Sequence, residues 1–348
     1  MKKQLKLIVL YKNLSRDNGH TKGLLVMIST TIVLILLSQL HTSSYPDPIN
    51  ASSIITYVPQ LHNGDAKFYN NKIITNVNGK LSLYDLDGNE FKSYDSVNAN
   101  WIDVLPEENI VIYGNFNPEI GIVQFDKNYN LLSQKIILKG TLMIDPTIIK
   151  KGNSFYITVT QIEGTVNNAD KKTENGRYSI QLYKSNDLKN WSYINTAISC
   201  LNNLEDIDFF YTDNKFYLSY EKEQLDKGLS SICIIESMDG SEWNTPKELL
   251  PADSDHEPAT LTKTHNNEFK LYYSCDKDDV GSSYMGSKIY YALFDKNFNL
   301  VKKDIPITSQ TNRGILLYDV QLTENTERFL FAKNYLSDND MIIEEKAK

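Results

Sequence analysis

The chain has 348 residues, 41% of them hydrophobic, enough to bury a sizeable core, and its formal net charge is −8. That charge argues against a nucleic-acid partner, since phosphate binding needs a basic face. The three cysteines, Cys200, Cys233 and Cys275, form no CxxC pair and no metal spacing with histidine. Their odd number excludes a fully paired set within the chain, and a Cys200–Cys233 bridge is an option only in an exported domain.

Residues 1–22 carry Lys2, Lys3, Lys6, Lys12, Arg16 and Lys22 against one acid, Asp17. Gly23 to Leu40 then runs without a charge, and as a helix it would span roughly 27 Å, close to a hydrocarbon core. The next Lys or Arg is Lys67, so the positive-inside rule predicts a cytoplasmic leader, a single membrane helix at 23–40 and an extracytoplasmic remainder. The long basic leader and the lack of a small-residue cleavage site near His41 favour an anchor over the alternative, a cleaved signal peptide and a secreted product. Residues 41–52, rich in Ser, Pro and Asn, read as a stalk.

From residue 53 to 348 the pattern predicts one all-β domain. Short aromatic and β-branched runs alternate with turn residues at about 8–12-residue spacing. They fall into groups of four, beginning with Ala66–Tyr69, Lys72–Val77, Lys80–Leu86 and Glu90–Tyr94. The last group, Val320–Thr323, Arg328–Tyr335 and Met341–Glu344, lacks a fourth strand, which Ile54–Val58 from the start of the domain can supply. Such closure removes an open sheet edge.

Internal repeats tie the groups together. Asp145, Asp206 and Asp319 each precede a strand-opening phenylalanine by ten residues (Phe155, Phe216 and Phe329), and Glu257 precedes Phe269 by twelve. Phe125-Asp-Lys-Asn-Tyr-Asn-Leu131 recurs as Phe294-Asp-Lys-Asn-Phe-Asn-Leu300. The expectation is a six-bladed β-propeller, with five blades as the alternative count.

In a propeller the first strand of each blade lines the central channel. An acid stands at or near the entry to each such strand: Asp65, Asp103, Asp145, Asp206 with Asp208, Glu257 and Asp319. Carboxylates converging on one funnel suit glycosidic-bond cleavage, which needs one neutral acid and one ionised base. The competing role for each acid is to hydrogen-bond the neighbouring blade. Trp101 is a candidate sugar platform, and His256 and Arg313 are candidate contacts to a sugar hydroxyl and an anionic sugar. Hard oxygen ligands could hold an axial Ca²⁺, but no EF-hand-like spacing supports one, so no metal or cofactor is expected.

Ser185-Asn-Asp187-Leu-Lys-Asn-Trp191 and Ser237-Met-Asp239-Gly-Ser-Glu-Trp243 resemble the Asp-boxes of sialidase-like propellers. That resemblance implies a structural role on the turn between a blade's third and fourth strands. Sialidases also need three arginines, and beyond the anchor this chain has only Arg177, Arg313 and Arg328. The order Asp145-Pro146, Asp206-x-Asp208, Glu257-Pro258 is similar to that of family 43 glycoside hydrolases. This second resemblance implies Asp145 as base, Asp206 or Asp208 as the residue tuning the acid, and Glu257 as proton donor. The expected function is therefore a membrane-anchored, extracytoplasmic glycosidase with a glycan substrate. The alternative is a non-catalytic propeller that binds glycan or protein.

Overall fold

The structure, a computed structural model, describes residues 54–58, 65–164, 176–201, 203–224, 228–277, 286–307, 314–333 and 340–347. The expected leader, membrane helix and stalk lie outside the described residues, and so does Arg313. Among the described residues no helix is long and apolar enough to cross a membrane.

The domain is a β-propeller built from antiparallel sheets. One sheet holds β2 (Ala66–Tyr69), β3 (Lys72–Val77), β4 (Lys80–Asp85) and β5 (Glu90–Asn98). The next holds β6 (Trp101–Leu105), β7 (Ile110–Asn115), β8 (Glu119–Phe125) and β9 (Leu131–Lys139). A third holds β10 (Leu142–Lys151), β11 (Ser154–Glu163), β12 (Arg177–Ser185) and β13 (Ser192–Cys200). The chain ends meet in a fourth sheet. There β1 (Ile54–Val58) pairs with β23 (Asp340–Ala347), beside β22 (Thr326–Lys333) and β21 (Ile315–Leu322).

The remaining sheet corrects the expectation of six separate four-stranded units, because it has seven strands. It runs through β14 (Asn203–Thr212), β15 (Lys215–Gln224), β16 (Leu229–Ser237), β17 (Lys247–Lys263), β18 (Phe269–Asp276), β19 (Lys288–Phe294) and β20 (Leu300–Pro306). The 17-residue β17 pairs with β16 as far as Ser254 and with β18 from Asp255 onward. Its middle contains no Gly or Asn to break it. Pro251 and Pro258 instead hold Leu250 and Glu257, the residues before them, in extended backbone.

Apolar clusters fill the gaps between successive sheets. Tyr69, Leu83, Tyr113 and Phe125 pack between the first two sheets, and Ile112, Ile122, Met143 and Ile157 between the second and third. Phe68, Ile73, Leu330 and Ile343 close the ring between its last sheet and its first. Strands within the blades, such as β11 and β15, are buried along most of their length, whereas the outer β9 is largely exposed.

Aspartates tie the turns before several of the outer strands. Asp187 Oδ1 accepts the N–H groups of Lys189 and Asn190, both at 2.8 Å, and Ser185 Oγ accepts that of Leu188 at 3.0 Å. Asp126 and Asp295 each accept two backbone N–H groups at 2.8 Å. Ser237 and Asp239 repeat the arrangement, Ser237 Oγ accepting from Gly240 N. All three cysteines are free thiols, so the Cys200–Cys233 bridge is not formed.

Candidate functional site

The inner strands β10, β14, β17 and β21 each carry an irregularity in register, at 144/147, 205/208, 258/260 and 317/319. A bulge inserts an extra residue and re-aims the side chains around it. In two of them the inserted residue is an aspartate with left-handed backbone, Asp145 at φ 48° and Asp206 at φ 50°. Aspartate tolerates this region better than most residues, yet it is a strained choice, and such strain concentrates at functional sites.

These strand entries surround a cavity of about 490 Å³. It is lined by Asp65, Asp103, Asp145, Glu205, Asp206, Asp208 and Glu257, with Lys67 as the single cation among its lining residues. Trp101 and Phe116 stand at its wall in an edge-to-face pair, ring centroids 5.0 Å apart. Phe116 is 64% exposed.

The acids divide into two sets. The first fastens neighbouring inner strands together. Asp65 Oδ2 accepts from Ile102 N at 2.8 Å, and Asp103 Oδ2 from Ile148 N at 2.8 Å. Asp208 Oδ2 accepts from Leu261 N at 2.5 Å, and Asp319 Oδ2 from Phe68 N at 2.7 Å. All four act on the Lys67 ammonium, which also donates to Tyr318 O at 3.4 Å. Burial would lower the Lys67 pKa, but the four carboxylates outweigh it and the net shift is upward. Burial conversely raises the acids against the pull of Lys67, Asp103 to about 7 and Asp208 to about 6. Asp103, Asp208 and Asp319, expected as site residues, have carboxylates engaged in holding the sheets together, and Asp319 does not line the cavity.

The second set is Asp145, Asp206 and Glu257, on β10, β14 and β17. Asp206 N donates to Asp145 Oδ2 at 3.0 Å. Burial, then the charges of Asp206 and Glu205, push the Asp145 carboxyl well above its usual range. Burial, then the charge of Glu257 and a hydrogen bond to it, do the same for Asp206. Like charges this close cannot all ionise, so the group retains protons near neutral pH. Asp206, Glu221 and Glu257 each bring a carboxylate oxygen within 4.8 Å of the others, close enough to accommodate a cation. A hydrogen bond between Asp206 and Glu257 is the other use of that space.

His256 does not line the cavity. It is buried, and its Nδ1 lies 2.8 Å from Ser230 O, an arrangement that makes Nδ1 the donor. Burial lowers its pKa, so the imidazole is neutral. Phe116, Glu205 and Glu221 were not anticipated. Phe116 sits on a short Asn-Phe-Asn-Pro turn with no periodic signal, and Glu221 on a second strand rather than a first.

No protein-family model matches the chain, and no curated protein matches it either. Among solved structures it is similar to a β-1,2-mannobiose phosphorylase from Listeria innocua, with 13% identity over 86% of this chain and 92% of that one, at a TM-score of 0.48. It is also similar to an endo-arabinase from Bacteroides thetaiotaomicron, with 11% identity, 70% and 91% coverage and a TM-score of 0.49. A third is a family-43 glycoside hydrolase described as thermostable, with 15% identity, 71% and 88% coverage and a TM-score of 0.47. At such identities a likeness does not fix chemistry, which has to be argued from the side chains.

Proposed function

We propose that this propeller cleaves a glycosidic bond by two-carboxylate chemistry in the central cavity. The observation that carries the reading is the hydrogen-bonded run Asp145–Asp206–Glu257, set on successive inner strands and partly exposed to the cavity. Glu257 donates a proton to the leaving oxygen, and Asp206, sharing that proton, keeps the donor charged with it near neutral pH. Asp145 acts as base. It acts in its ionised form, which the neighbouring charges make scarcer and more basic, and takes the proton of the attacking water while Glu257 gives its own to the leaving oxygen. Trp101 and Phe116 supply the apolar surface on which a sugar ring stacks.

The test is hydrolysis by the full-length chain of a panel of polysaccharides and of aryl glycosides with good and poor leaving groups. Glu257→Gln should lose about 10²–10⁴-fold on unactivated substrates and far less on dinitrophenyl glycosides, whose leaving group needs no proton. Asp145→Asn should lose both activities. Equal activity of wild type and Glu257→Gln on every substrate would remove the assignment. A second reading is favoured by the four acids engaged in holding sheets together, namely that the cavity binds a glycan without turning it over; saturable binding with no product in the panel would establish it. We place the propeller outside the membrane, tethered through residues 23–40; the basic leader and the uncharged run support this. Accessibility of the propeller to protease in intact cells, together with retention in the membrane fraction, tests the placement.

A further inference from the structure

Glu221 lies on β15, behind β14 as seen from the channel, and pairs with Glu205 across the ladder. It is 3% exposed and does not line the cavity, so a substrate in the cavity does not touch it. Its carboxylate nevertheless comes within 4.8 Å of those of Asp206 and Glu257. The charged groups facing it are Glu205 and Asp206 on β14, Glu223 on its own strand, and Asp255 and Glu257 on β17. All of them are acids. An acid at this buried position is not needed to make the strand, since the repeat has Thr160 and Ser274 in the corresponding place.

Resting on the reading of Glu257 as proton donor, we propose that Glu221 is a positioning residue. With Asp206 and Glu257 it forms a three-carboxylate unit that holds a proton for Glu257 at a pH where two carboxylates alone would have released it. The last proton of such a trio leaves against two negative charges, whereas in a pair it leaves against one. Burial, followed by the charge of Asp206, raises the Glu221 carboxyl well above its usual range, as membership in a shared system requires. Glu221 thereby sets the alkaline limit of the reaction without contacting the sugar.

The experiment titrates the full-length chain labelled with ¹³C at glutamate carboxyl carbons and followed by NMR. The Glu257 signal is assigned by its disappearance in Glu257→Gln. In Glu221→Gln the Glu257 midpoint should fall by about 1–2 pH units. The alkaline limb of the pH–rate profile, measured on whichever aryl glycoside the panel shows to be cleaved, should fall by the same amount. Glu221→Asp retains the charge and should keep the midpoint closer to wild type. Glu221→Met is the neutral variant if the amide does not fold. An unmoved midpoint in the neutral variant overturns the inference even where hydrolysis is confirmed. A shifted midpoint in a chain that cleaves no glycoside leaves the role of Glu221 standing and removes the hydrolase reading. Saturable Ca²⁺ binding that abolishes the Glu257 titration would replace the shared proton by a cation and overturn it as well.

Discussion

Lys67→Met is the most informative single change. Lys67 is the counter-ion of Asp65, Asp103, Asp208 and Asp319, and methionine keeps its length while removing the charge. Removing one partner from a fully buried, contacting ion pair costs about 3–5 kcal/mol, but Lys67 is half-buried at the cavity wall and reaches its acids without a close ion pair, so about 1–2 kcal/mol is expected. At about 2 °C per kcal/mol for a domain of this size, Tm should fall by about 2–4 °C at pH 8. The loss should depend on pH. The folded-state pKa of Lys67 is raised, so its contribution is complete below the unfolded value of 10.5 and fades only as pH climbs through the higher folded one. The carboxyls also have raised folded pKa values. The folded state therefore holds protons that the unfolded chain releases near 3.8, and stability declines as pH rises from there toward about 7 for Asp103 and about 6 for Asp208. At pH 5 both are largely protonated, and the loss should shrink to roughly half its value at pH 8. Calorimetry of both proteins at the two pH values measures this. A Tm decrement equal at both, or larger at pH 5, would show that Lys67 does not neutralise these acids.

Other changes read different parts of the molecule. Asp145→Asn can still accept the Asp206 N–H but no longer opposes the charges of Asp206 and Glu205, so Tm should rise at pH 8 by the equivalent of about 1–3 kcal/mol and be unchanged at pH 4, and the proposed role as base requires the loss of any hydrolysis found in the wild type. Gly121→Ala places a Cβ 2.1 Å from the buried Tyr113 ring, and the urea midpoint should drop by the equivalent of about 1–3 kcal/mol. Ellman's reagent should find Cys200 in the folded chain and all three thiols only after denaturation; a single thiol in denaturant would instead reveal a disulfide between two of the three.

Much of the architecture is legible because strands and turns are local. Short aromatic and β-branched runs flanked by Asn, Asp and Gly predict β2, β3 and β4 within a residue of their bounds. The incomplete last group and Ile54–Val58 predict the pairing of β1 with β23, since an unpaired edge on each would otherwise face water. The unbroken β17 was less visible. Two prolines in a polar stretch carry no alternating pattern, yet where no left-handed residue intervenes they support extended chain. Glu221 had a faint signal, an acid where the repeat has Thr160 and Ser274, but nothing in the sequence said which side of the sheet it would face.

By itself, then, the order of residues determined that the chain would form repeated antiparallel sheets and that acids would stand at their inner edges. Only the tertiary structure decided which acids keep company. Only Ile207 separates Asp206 from Asp208, yet the bulge there sends one toward Glu257 and the other toward the backbone of Leu261. A carboxyl's chemistry follows from the charges and dipoles within a few ångströms of it, and those neighbours come from strands dozens of residues away.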